Sequence, residues 1–182
     1  MTVLLVSEQA KVFCIDIAAY AVMSNHFHIV LHVDQTKARD LSDLEIIQRW
    51  HQLYKGNLLT QKLERGDELS EAQIATLEDT IKELRERLMS ISWYMRRLNE
   101  TVARLANEED NCTGHFWEGR FKSQALLDEK ALTACMAYVD LNPIRAAMAK
   151  TPEDSDYTSI QERINRQFIF NTMSLIQSRV LA

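Results

Sequence analysis

The chain has 182 residues, 46% hydrophobic and 26% charged, with a net charge of −5 at neutral pH. That balance fits one globular domain, or one domain with an insertion, and excludes a low-complexity chain. No run approaches the roughly 20 apolar residues that span a bilayer, and MTVLLVSEQAK has neither a basic leader nor a cleavage site, so a cytoplasmic protein without a membrane partner is expected.

Three widely spaced cysteines, Cys14, Cys112 and Cys135, form no CxxC pair and read as free thiols of a reducing compartment. Four glycines and two prolines argue for a helix-rich chain without long linkers. Mild acidity argues weakly against nucleic acid, but local charge decides phosphate binding. Residues 35–90 are slightly acidic, whereas residues 91–150 carry equal numbers of basic and acidic side chains and leave room for a basic face.

In chain order, residues 11–23 are apolar and β-branched or aromatic, Ser24-Asn25 is a short polar break, and residues 26–33 alternate. Together they predict a β-hairpin. From Leu41 to Tyr54 the spacing is helical. Ser70 and Gln73 form a capping box, and the helical pattern behind them breaks near Ser90 and resumes to Leu105. Residues 115–127, HFWEGRFKSQALL, alternate like a strand, with Trp117, Phe121 and Leu126 towards the core. Asp128 is an N-cap for a helix to about Leu141, and Asn142-Pro143 reads as N-cap and N1 of a short helix. The tail from Gln167 has no interpretable pattern.

The stretch SNHFHIVLHV holds three of the five histidines. On a strand, His26, His28 and His32 share one face, and Phe27, Ile29, Leu31 and Val33 take the other, towards the core. His26 and His28 would stand about 6.6 Å apart along the strand, close enough to share a metal. His32, about 13 Å beyond His28, would not reach it. Such a pair is either half of a metal site or strand decoration. A third ligand would have to come from elsewhere, and the helix before Asn142-Pro143 is the best source. Tyr138 and Asn142 lie at i and i+4 on one face. An amide oxygen is a hard ligand for Mg²⁺ or Mn²⁺, and a phenol beside a bound phosphate can attack phosphorus. Equally, Tyr138 fits a half-buried core tyrosine and Asn142 a helix cap.

Three stretches, AYAVMSNHFHIVLHV, FWEGRFKSQALLDEKAL and AYVDLNPIRAAM, run in this order from Ala19 to about Lys150. Together they resemble the single-tyrosine HUH transposases, and most closely the REP-associated tyrosine transposases and their relatives. The resemblance implies an α+β, ferredoxin-like antiparallel sheet with packed helices. One domain would cover 1–166, with a helical insertion at about 35–90 and an unassigned tail at 167–182. Such enzymes carry a first strand and a helix ahead of the segment that begins here around Gln9, where this chain has about eight residues. A copy shortened at its N-terminus, lacking the first strand, is therefore expected.

By the same resemblance, His26 and His28 hold a divalent metal (Mg²⁺ or Mn²⁺), Asn142 completes its ligands, and Tyr138 is the catalytic tyrosine. Such enzymes cleave single-stranded DNA, often beside a hairpin, leave a 5′-phosphotyrosine and a free 3′-OH, and rejoin ends without hydrolysis or ATP. Arg96, Arg97 and Arg104 on a helix, and Arg120 and Lys122 on the expected strand face, are the candidate DNA contacts. A homodimer is an open expectation. The alternatives are a DNA-binding remnant with impaired chemistry and a metal-binding regulator unconnected to DNA.

Overall fold

The computed structural model describes residues 2–167. The fold is α+β, one antiparallel pair of strands with packed helices. Two compact units divide the chain. The first combines the residues up to Asp16 with His32–Lys122, and the second combines Ile17–Leu31 with the residues from Ser123 onward.

In the first unit, α1 (Thr2–Val12) packs on α6 (Ile91–Glu109). Periodicity assigns no element to residues 2–10, but the helix is fixed by tertiary contacts. Val6 is fully buried, the Tyr94 hydroxyl donates to the Val6 carbonyl at 3.0 Å, and Gln9 Nε2 donates to the Tyr94 carbonyl at 2.6 Å. Burial pushes the Tyr94 hydroxyl pKa well up, so it stays a donor. Arg49 closes the other end of α1, donating to the carbonyls of Lys11 (2.7 Å) and Val12 (3.0 Å) that a helix C-terminus leaves unpaired.

Helices α2 (Gln35–Asp40), α3 (Asp43–His51), α4 (Leu58–Arg65) and α5 (Glu71–Leu88) fill the expected insertion. The Ser70–Gln73 capping box forms as the sequence indicates. Ser90 separates α5 from α6 and caps α6 through the Trp93 N–H. Ile46, Ile47, Leu77, Ile81, Leu84, Leu88 and Leu98 are buried.

In the hairpin, β1 (Ile15–Val22) pairs with β2 (Phe27–Val33), and the Met23 N–H donates to the His26 carbonyl at 2.8 Å across the turn. The facing of β2 departs from simple alternation. Phe27, Ile29, Leu31 and Val33 are half-buried, and the one buried residue of β2 is Val30, on the His28 face. Val30 packs with Ala19, Ala21 and Val139, the last from α7 (Glu129–Asp140). The small alanines of β1 let that helix approach the face expected to be polar.

Residues 112–127 contain neither strand nor helix. The alternation there is a pattern of exposed side chains, because no neighbouring strand supplies the hydrogen bonds that a strand requires. Leu126 and Leu127 are exposed, Leu127 at 90%, and do not cover a core. The segment is tied to α6 instead, with Trp117 Nε1 donating to the Asn99 carbonyl at 2.9 Å and Asn107 donating to the Gly114 carbonyl at 3.2 Å. Arg120 and Lys122 consequently share no strand face.

Asp128 caps α7 through the Ala131 N–H at 2.7 Å. Helix α8 (Asn142–Arg145) begins at Asn142 itself, follows Leu141, and has no side-chain cap. The expected N-cap role of Asn142 is therefore not taken. Residues 157–158 return to β1, with the Val22 N–H donating to the Tyr157 carbonyl and a bridge between Ala21 and Thr158. The expectation of an unassigned tail at 167–182 lies, beyond Gln167, outside the described residues. Among the described residues no helix is long and apolar enough to cross a membrane.

Candidate active site

His26 ends the turn and His28 is the second residue of β2, so the hairpin presents both imidazoles at one end. Their ring centroids are 5.1 Å apart, nearly perpendicular. His26 is exposed, and its Nδ1 lies 2.7 Å from Asn25 Oδ1. An amide oxygen only accepts, so this contact keeps the proton on Nδ1 and leaves the Nε2 lone pair available. His28 is half-buried. Burial first, and the neighbouring His26 second, lower its pKa and favour the neutral ring that a metal needs.

Tyr138 comes from the third turn of α7, and its ring stands 5.8 Å from that of His28, edge to face. Its residue is 46% exposed, so the phenol is within reach of a large ligand. Arg145 on α8 places its guanidinium carbon 5.0 Å from the Tyr138 ring centroid. Sequence reasoning passed over Arg145. Arg145 lies on α8 and Tyr138 on α7, so the period of a single helix does not join them.

Behind the tyrosine, α7 is anchored by Asp140, which is buried. Its carboxylate accepts from Ser159 Oγ at 3.0 Å and pairs with Arg163. Ser159 Oγ also accepts from the Tyr20 N–H of β1 at 2.9 Å. The helix ending in Asp140 is thus linked to the strand paired with β2. Tyr20 itself donates to Glu162 at 3.0 Å, and burial together with that carboxylate pushes its pKa up to about 12.

Asn142 is 9% exposed, and its side chain is not used for capping. It thereby keeps its amide oxygen as a candidate hard ligand. Among the described residues no group of three or more His, Cys, Asp or Glu side chains is arranged to hold a metal. His32 lies apart, its Nδ1 3.6 Å from Asp16.

The remaining candidates belong to the first unit. Arg96 and Arg104 are exposed on α6, Arg97 is half-buried there, and Arg120 and Lys122 are exposed in the irregular segment. No family model, no curated protein and no solved structure matches this chain.

Proposed function

We propose that the protein cleaves and rejoins single-stranded DNA through a phosphotyrosine on Tyr138, as a metal-dependent tyrosine transposase does. The observation that carries this reading is the convergence of Tyr138 with the His26–His28 pair, from which it is remote in sequence, with ring separations of 5.8 Å from His28 and 5.1 Å within the pair.

In the proposed reaction Tyr138 Oη attacks the scissile phosphorus and loses its proton to solvent. The P–O3′ bond breaks, and the departing oxygen takes up a proton to become a free 3′-OH. The 5′ side remains as a phosphotyrosine, so the ester is conserved and attack by a 3′-OH reverses the step. The Arg145 cation beside the Tyr138 ring is placed to hold a phosphate oxygen. His26, His28 and Asn142 would hold Mg²⁺ or Mn²⁺, which when bound polarises the phosphate. Arg96, Arg97, Arg104, Arg120 and Lys122 are the proposed contacts to the DNA backbone.

The test is incubation with hairpin-flanked single-stranded DNA and Mn²⁺, read on a denaturing gel. A covalent adduct is expected from the native chain, with loss of at least a hundredfold in Tyr138→Phe and in the His26→Ala/His28→Ala pair, about 3 kcal/mol of barrier. A mobility shift without an adduct would support the second reading, a DNA-binding remnant without chemistry. Cleavage that survives the histidine substitutions would refute the metal assignment.

A further inference from the structure

The first unit carries a cluster of arginines over aromatic rings, of which Trp50 is buried and Tyr54 and Trp93 are half-buried. Trp50 on α3 and Trp93 on α6 meet at 5.4 Å between centroids, and Tyr54 stacks on Trp50 at 4.5 Å. Arg87, in the last turn of α5, holds its guanidinium carbon 4.5 Å from the Trp93 ring centroid and 5.4 Å from that of Trp50. Arg96 stands 5.1 Å over Trp93, and Arg97 stands 5.8 Å over Tyr54. Arg87 is paired with Glu83, whereas among the described residues Arg96 and Arg97 have no carboxylate within ion-pair distance.

Two adjoining cavities run along this surface and share Glu83 and Arg87. The first, about 260 Å³, passes Trp50, Asn57 and Thr80. The second, about 340 Å³, reaches Ser90 and Trp93.

We infer that this groove binds a single strand of DNA, with an unpaired base lodged against Arg87 and Trp93 and the flanking phosphates on Arg96 and Arg97. Indole and guanidinium planes stack on any base, and an arginine fork takes two phosphate oxygens. The carboxylates decide the polarity of the arrangement. Glu83 and Glu86 line the second cavity and repel phosphate there, while accepting from the amino edge of a base. An acidic peptide would set its own carboxylates against these two. That the strand is DNA rests on the proposed function; the groove itself does not.

The test uses the full chain without metal, so that nothing is cleaved, and a labelled short oligo(dC) followed by anisotropy across a salt series. The Arg96→Ala/Arg97→Ala variant is expected to bind about tenfold more weakly, with the slope of log K against log salt shallower by about 1.4. Trp93→Leu is expected to lose about tenfold with an unchanged slope, and Trp93→Phe to restore most of it. Wild-type affinity and slope in the arginine pair would overturn the inference. Should Trp93→Leu fail to fold, that pair, on the surface of α6, decides alone. Oligonucleotide binding that depends on these arginines, in a chain that forms no Tyr138 adduct, would uphold the groove and refute the proposed function. An adduct with no such dependence would do the reverse.

Discussion

His28 shows how one side chain can carry both a structural and a chemical consequence. Half-burial and the adjacent His26 hold its pKa below the ordinary 6.5. The unfolded chain therefore takes up a proton more readily than the native one as the pH falls. The stability owed to a neutral His28 is present above pH 6.5 and is lost as the pH drops through the native value. An NMR titration of the ring should give a midpoint below 6.5, and replacing His26 by Ala should raise it; a midpoint at or above 6.5 in the native chain would contradict this. The resemblance alone implied that Tyr138 meets His28, whereas the HFH spacing was legible because the strand period is a local rule. The freedom of Asn142 was not. Whether an Asn before Pro caps a helix or begins one depends on where the preceding helix ends, and α7 runs to Asp140 with Leu141 between them.

Elements with local start signals were readable. Ser70 with Gln73 and Asp128 cap the helices that follow as the sequence indicates, because a cap needs only its own next three residues, and the expected break near Ser90 is where Ser90 caps α6. The irregular segment 112–127 was misread as a strand because alternation describes side chains, whereas a strand is made by backbone bonds to a distant partner. Helix α2, six residues long, is too short to show a period. It is held by a remote side chain, Arg85 on α5, which donates to the carbonyls of Ala38 (2.5 Å) and Leu41 (2.7 Å) and pairs with Asp43. Arg85→Ala should lower stability by about 1–3 kcal/mol through the two carbonyls left unpaired. Chemical denaturation measures this, and a loss below about 0.5 kcal/mol, the usual size of a surface substitution, would show that the carbonyls find water.

At the scale of the molecule, the net charge of −5 hides the feature of most functional interest. Arg87, Arg96 and Arg97 gather on three aromatic rings from α3, α6 and the turn after α3, a juxtaposition that no window of sequence contains. The return of residues 157–159 to β1 is equally non-local, and with Asp140 it links the helix of Tyr138 to the sheet. The α+β class was legible, while a sheet of two strands among the described residues, smaller than the resemblance implies, was not. In the proposed reaction Tyr138 becomes covalently joined to DNA. The chain has five tyrosines, and one of the others, Tyr157, is more exposed than Tyr138, so exposure alone would favour Tyr157. Peptide mass spectrometry after reaction with hairpin-flanked single-stranded DNA and Mn²⁺ tests the claim most directly. The 5′-phosphonucleotide is expected on the peptide containing Tyr138, and its appearance on Tyr157 or on no tyrosine would refute the proposed reaction.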